Sequence, residues 1–368
     1  MERYYFDHNA TTPVAPAVID AMLPLLRDGF GNASSIHQPG QQAKQALERA
    51  RRQTAAFLGC SPKEIVFTSG GTEADNLAIL GVPSGHIVTT NIEHPAVLAA
   101  CRGRDVTYLN ADANGVIDPE TLRDAIRPST VLVSIMHANN ELGTVQDIEA
   151  LAHVVHEAGA LFHSDGVQAA GKLPLNVKLL DLYSISGHKL NAPKGIGALY
   201  VRQGVELTPR QFGGRHESGR RAGTENVPGA AALGAACELL PRDPATLAKL
   251  TQRLEKGILD RVPQTVVNGA NAPRVPNTTN IRFAGIEGEA MVIALDLRGF
   301  AVSSGAACSS GAVEPSHVLI AIGLTRDEAK ASIRFSLGLG NTVEQVDALI
   351  DAVAASAAHL RRLSPVYA

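Results

Sequence analysis

Apolar residues along the chain change their period repeatedly, and each change marks an element. Val18, Met22, Leu25 and Leu26 recur at helical spacing, predicting a helix over 17–27. The polar stretch 29–40 reads as a loop, long enough to suspect function. Residues 41–58 form a stronger amphipathic pattern closed by Gly59. Short apolar runs then alternate with helical ones. Residues 65–67, 86–90, 106–109, 131–135, 160–165, 179–185 and 197–201 read as strands. Between them, helices start at Thr72, at Asp118 and at Asp147. Thr72 and Asp75 have the spacing of a capping box, and Pro119 follows Asp118 as a first helical residue should. The alternation predicts an α/β fold. Its large domain has a mostly parallel seven-stranded-type sheet flanked by helices.

The texture changes beyond residue 201. Residues 213–224 are rich in glycine and arginine, which suits an anion-binding loop or a subunit contact. Helices are expected over 230–240 and 247–259. Strands at 277–283, 301–303 and 332–337 then mix with helices at 287–297, 314–322 and 343–360. This reads as a smaller α+β domain. The expected division is 14–250 for the large domain, with 1–13 and 251–368 in the small one carrying Cys308 and Arg334.

The polar clusters 69–72, His94, 139–140, 165–168 and 186–189 all follow strand-like runs. In a parallel sheet those carboxyl ends share one edge, so the clusters can converge on one pocket. Lys189 is the centre of this pattern. A lone loop lysine is most often a solvated charge, but it can also hold a phosphate or serve as a nucleophilic amine for a carbonyl. Ser186 and His188 beside it, and Asp165 and Gln168 one strand earlier, change the balance. A Schiff-base lysine, an aspartate for a pyridinium nitrogen and hydroxyls for a phosphate suggest pyridoxal phosphate.

Two further residues stand out. Cys308 sits among glycine, alanine and serine, so it has no core to fill there; a mobile, accessible thiol suits a nucleophile. Cys60, Cys101 and Cys237 read as small buried hydrophobes. Strand alternation sets Arg334 on the face opposite Ile333, Phe335 and Leu337. It is either a solvated charge or a clamp for a substrate carboxylate.

Composition narrows the rest. The 368 residues are 45% hydrophobic, with a net charge of −3 and four scattered cysteines. That excludes an electrostatic case for nucleic acid or anionic membrane, and makes a disulfide framework or a zinc site improbable on pattern. No apolar run approaches the roughly 18 residues of a membrane span, and the amino terminus lacks a signal pattern. The expectation is a cytoplasmic protein with no intrinsic metal, no nucleic-acid partner and no membrane.

Taken together, Asp7–Pro13, Phe67–Glu73, Glu93–Val97, His137–Glu141, Ser186–Lys189, Arg221–Asn226, Ser303–Cys308 and Arg334–Ser336 resemble the cysteine desulfurases of NifS/IscS type, within the class-V aminotransferases of pyridoxal fold type I. The resemblance runs nearly the whole chain. It implies pyridoxal 5'-phosphate on Lys189, Asp165 at the ring nitrogen, Gln168 at the phenolic oxygen and His94 stacked on the ring. Gly71, Thr72, Ser186 and His188 would bind the phosphate, with Thr224 arriving from the partner of a homodimer. Asn140 and Arg334 would hold the carboxylate of L-cysteine. Lys189, His94 and Cys308 would be the catalytic residues. Cys308 would take the sulfur as a persulfide while L-alanine leaves, then pass it to an iron–sulfur scaffold or another acceptor, touching a cluster only transiently. A selenocysteine lyase or an aminotransferase of the same fold is the alternative.

Overall fold

The computed structural model describes residues 3–240, 244–304 and 314–363. Seven strands form the main sheet, in the spatial order Ile65–Thr68, Gly197–Val201, Leu182–Ser186, Leu161–Asp165, Thr130–Ser134, His86–Thr90 and Val106–Leu109. Gly197–Val201 is antiparallel to both neighbours; the other pairings are parallel. A parallel sheet needs helices on both faces, and alternate strand residues supply two cores. Val133, Phe162 and Ile185 pack with Val18, Leu47 and Leu233 on one side. Leu132, Leu182 and Leu199 pack with Ala74, Leu77 and Val97 on the other.

A second, antiparallel sheet runs Ser303–Ser304, Ser332–Ser336, Thr278–Phe283, Thr265–Val267. Its core joins Ile281, Phe283, Ile333 and Phe335 to Leu254, Leu349 and Val353 of the helices Pro244–Arg261 and Val343–Leu363. Phe6 belongs to this core too. The amino-terminal strand Tyr4–Tyr5 pairs parallel with Phe300–Ala301. The first residues of the chain are therefore threaded into its last third.

Three local readings are corrected. Thr72 and Asp75 form no capping box: the helix Gly71–Gly81 starts after Gly70 without any side-chain cap. Asp75 is instead buried at 1% exposure. The reason is helical phase, since positions 71, 75 and 78 share the face turned to the sheet. The stretch 29–40 is a loop only as far as His37, which caps the helix Gln38–Leu58. The strand Thr265–Val267 and the helix Arg326–Lys330 escape the sequence pattern because each is short and only partly buried. Among the described residues, no helix is long and apolar enough to cross a membrane. Cys308 lies outside the described residues.

One glycine shapes the edge where the site forms. Gly166 follows the strand that ends at Asp165, and a Cβ there would fall 1.9 Å from Cζ of Tyr183. Tyr183 is fully buried, and its hydroxyl meets His137 Nδ1 at 2.9 Å. The ring therefore has nowhere to retreat. Gly166→Ala is expected to cost at least about 1–3 kcal/mol of stability, seen as a lower urea midpoint. An unchanged midpoint would mean that the turn after Asp165 has room the structure denies it.

Candidate active site

The polar clusters do meet. Gly71, Thr72, His94, Asn140, Asp165, Gln168, Ser186, His188, Lys189 and Arg334 line one cavity of about 380 Å³. Thr224 does not join them; it is exposed, outside the cavity of its own chain.

One end of the cavity suits an anion. Gly71–Gly81 begins with uncapped N–H groups, and a helix start of this kind attracts negative charge. Ser69 N–H is tied back to Glu73 Oε2 at 2.7 Å, which fixes the turn. Ser186 ends its strand beside Gly70–Gly71, and a Cβ on Gly197 would lie 2.7 Å from Gly70 Cα, so only glycine lets the strands close there. Burial, with Lys189 and Lys194 nearby, pushes His188 down to about 4; its ring stays neutral and Nδ1 sits 3.2 Å from Thr11 Oγ1.

Lys189 is held by the amino-terminal segment. Its Nζ donates to the carbonyl of Asn9 and, at 2.8 Å, to that of Ala10. Burial and the nearby Arg334 cation bring it from the ordinary lysine value of 10.5 to about 8, against the pull of Asp7 and Asp165. A lysine so placed is a usable nucleophile and base near neutral pH.

Asp165, 5% exposed, accepts from Val167 N–H at 2.9 Å. Burial raises its carboxyl, while His94, that N–H and Lys189 hold it down. His94 caps the helix Pro95–Cys101, its Nδ1 accepting from Ala96 N–H at 3.2 Å, so a neutral ring carries its proton on Nε2. Burial lowers its pKa, Asp165 opposes this, and Lys189 and His317 add to the fall.

Arg334 fits neither a solvated charge nor a free clamp. It is 7% exposed, with one arm 2.7 Å from Asp7 Oδ1 and another donating to the Asn140 carbonyl at 3.0 Å. Its Nε–H is buried and has no partner among the described residues. Arg334 is thus a pre-oriented and incompletely satisfied cation in the wall of the cavity.

Sequence reasoning missed four participants. Asp7 and Asn9 carried no role there, because their partners lie far along the chain. Asp75 was hidden behind the capping-box spacing. Its Oδ1, without a hydrogen bond among the described residues, lies 3.7 Å from His163 Nε2, and burial together with Asp165 raises its pKa well above the usual range. Lys172 is half-buried and bonded to Gln168 and Asn9. The phase of Asp75 on its helix was the one signal available in advance. The other cysteines are as expected: Cys101 and Cys237 are buried, Cys60 is half-buried, and burial pushes all three thiols up, to about 11 for Cys101 and about 12 for the others.

Comparison with known proteins gives the family of the chain. Residues 4–349 match the family described as aminotransferase class-V. A cysteine desulfurase of Gluconacetobacter diazotrophicus is 49% identical, over 100% of this chain and 96% of that protein. The crystal structure of a NifS-like protein from Rickettsia africae superposes with a TM-score of 0.90 at 36% identity, covering 96% of this chain and 99% of that one. SspA in complex with cysteine gives a TM-score of 0.82 at 40% identity, covering 90% and 98%. The chain belongs to the class-V aminotransferase family, in its cysteine desulfurase branch.

Proposed function

We propose that the protein takes sulfur from L-cysteine, releases L-alanine and leaves the sulfur as a persulfide on Cys308 for an acceptor protein. The observation that carries this reading is the convergence of Lys189, Asp165, His94 and Arg334 on one cavity that also has an uncapped helix start. Those residues fit pyridoxal 5'-phosphate: an amine for its aldehyde, a buried carboxylate for its ring nitrogen and an anion cradle of Gly71, Thr72, Ser186 and His188. When bound, that cofactor supplies an electron-withdrawing ring that makes the substrate's Cα–H acidic.

The residues then divide the work. Arg334 and Asn140 hold the substrate carboxylate. With the cofactor bound, Asp165 would keep a proton on the ring nitrogen, Gln168 would donate to the phenolic oxygen and His94 would cover the ring. Lys189, neutral above about 8, accepts the Cα proton. The Cys308 thiolate attacks the substrate sulfur: an S–S bond forms, the C–S bond breaks, and the freed electron pair returns to carbon, where Lys189 and His94 restore protons to give alanine. No external oxidant or reductant is needed for this step.

Described residues that precede and follow Cys308 in the sequence meet residues of the cavity or their neighbours. Ser303 pairs with Arg334 itself. Ser316 Oγ donates to Glu141 Oε2 at 2.5 Å and His317 Nε2 lies 2.9 Å from the Glu93 carbonyl, beside Asn140 and His94 in sequence. A homodimer is part of the proposal. Phe30, Ile36 and Phe212 are 82%, 94% and 81% exposed, large apolar side chains that a second copy would cover while bringing its Thr224 to this cavity. The acceptor is a protein of sulfur-carrier chemistry, an iron–sulfur scaffold among the candidates.

With a reductant present, the native protein is expected to release sulfide and alanine in equal amounts from L-cysteine. Cys308→Ala should release neither while keeping its cofactor colour; full activity in that variant would favour the lyase or aminotransferase alternatives. Arg334→Ala should raise KM for L-cysteine about 10- to 100-fold, the worth of charged hydrogen bonds of about 1.5–3 kcal/mol. In the cofactor-free protein, labelling of Lys189 by an amine reagent, read by mass spectrometry, should rise with a midpoint near 8. Arg334→Ala should move that midpoint up, because it removes a cation and leaves Asp7 unpaired. A midpoint at 10.5 in both proteins would remove Lys189 as the base.

A further inference from the structure

Gln168 is 4% exposed and lines the cavity. Its side-chain amide has a donor end and an acceptor end, and which end faces what decides its chemistry. Nε2 donates to the backbone carbonyl of Asn9 at 3.0 Å. Oε1 accepts from Nζ of Lys172 at 2.7 Å. A carbonyl can only accept, so the Asn9 contact alone demands an N–H from Gln168. Lys172 meets the other end as a donor, and its second bond runs to Asn9 Oδ1 at 3.0 Å. That oxygen is the end of Asn9 available to a donor, since Asn9 Nδ2 already serves the Asn140 carbonyl at 3.1 Å and Thr278 Oγ1 at 2.9 Å. The two amides and the lysine therefore interlock in a single sense.

The consequence lies in what remains. Nε2 has two hydrogens, and the second has no partner among the described residues.

We propose that Lys172 is a positioning residue: by occupying Oε1 of Gln168 it reinforces, from the opposite end, the sense that the Asn9 carbonyl imposes, and so holds that amide as a hydrogen-bond donor toward the phenolic oxygen of the cofactor. This rests on the reading of Gln168 as the partner of that oxygen. A donor there favours the ionised phenolate, whereas a flipped amide would present its oxygen and favour the protonated phenol. Burial, with Lys189 and Arg334 nearby, also pushes the Lys172 amine well below the ordinary lysine range. Two of its N–H groups are engaged, one on Gln168 and one on Asn9.

The test uses four proteins: native, Lys172→Met, Gln168→Ala and the double variant. Each is examined for affinity of the cofactor-free form for pyridoxal 5'-phosphate, and for the pH midpoint of the bound cofactor's absorption change without substrate. Lys172→Met and Gln168→Ala are each expected to weaken cofactor binding about three- to tenfold and to raise the midpoint by about half a unit to one unit. The double variant should be no worse than Gln168→Ala alone, because the lysine acts through the glutamine. If Lys172→Met behaves as native, or if the two effects add, the proposal is overturned. If Gln168→Ala itself leaves both quantities unchanged, the role given to Gln168 falls, and the proposal with it. Should Lys172→Met not fold, Lys172→Gln replaces it. Its amide can donate or accept and so cannot dictate the sense of Gln168, and the same direction of change is expected; native behaviour there overturns the proposal equally.

Discussion

Asn9 is the residue on which the site depends. It is 2% exposed, and each of its polar groups has a partner. Its N–H donates to Ser336 Oγ at 2.9 Å; its carbonyl receives Gln168 and Lys189. Its amide binds Asn140 and Thr278 through nitrogen, and Lys172 and Asn277 through oxygen. Gln168, Lys189 and Asn140 follow strands of the main sheet, while Thr278 and Ser336 belong to the smaller one. One asparagine thus ties both sheets to the same cavity. A buried polar group left without a partner costs on the order of 1–3 kcal/mol, so a network in which all members are satisfied is also one in which none can be moved alone.

Burial is the common cause behind the electrostatics of the cavity. It moves the carboxyls of Asp165 and Asp75 up, brings Glu93 to about 8, and moves Lys189, Lys172 and His94 down. Acids and bases that would lie far apart in water are drawn toward one another. Shifts in these directions suit a site that removes and returns protons. The cation of Arg334 is balanced by Asp7.

The order of strands and the cavity residues were legible because both follow local rules. Apolar runs of four to five residues name the strands, and a parallel sheet gathers their carboxyl ends. Lys189, Asp165, His94 and Asn140 could be picked from that rule alone. Asn9 and Asp7 could not: their partners Asn277, Thr278, Arg334 and Ser336 lie some 270 to 330 residues away, beyond any periodicity. Asp75 was misread because the same spacing serves a cap and a buried helical face, and only the packing distinguishes them. Arg334 was placed on the correct side of its strand, yet whether that side met water or a wall depended on Asp7.

The threading of the first strand against Phe300–Ala301, and of Asn9 against Ser336, has a consequence for biosynthesis. Residues made first wait for residues made near the end before the cavity can close. Contacts of this sequence separation form slowly, after the main sheet has had time to assemble. A nascent chain therefore carries its lysine, aspartate and histidine without the wall that holds them in place, and a premature stop before the Ser332–Ser336 strand deprives Asn9 of its anchor.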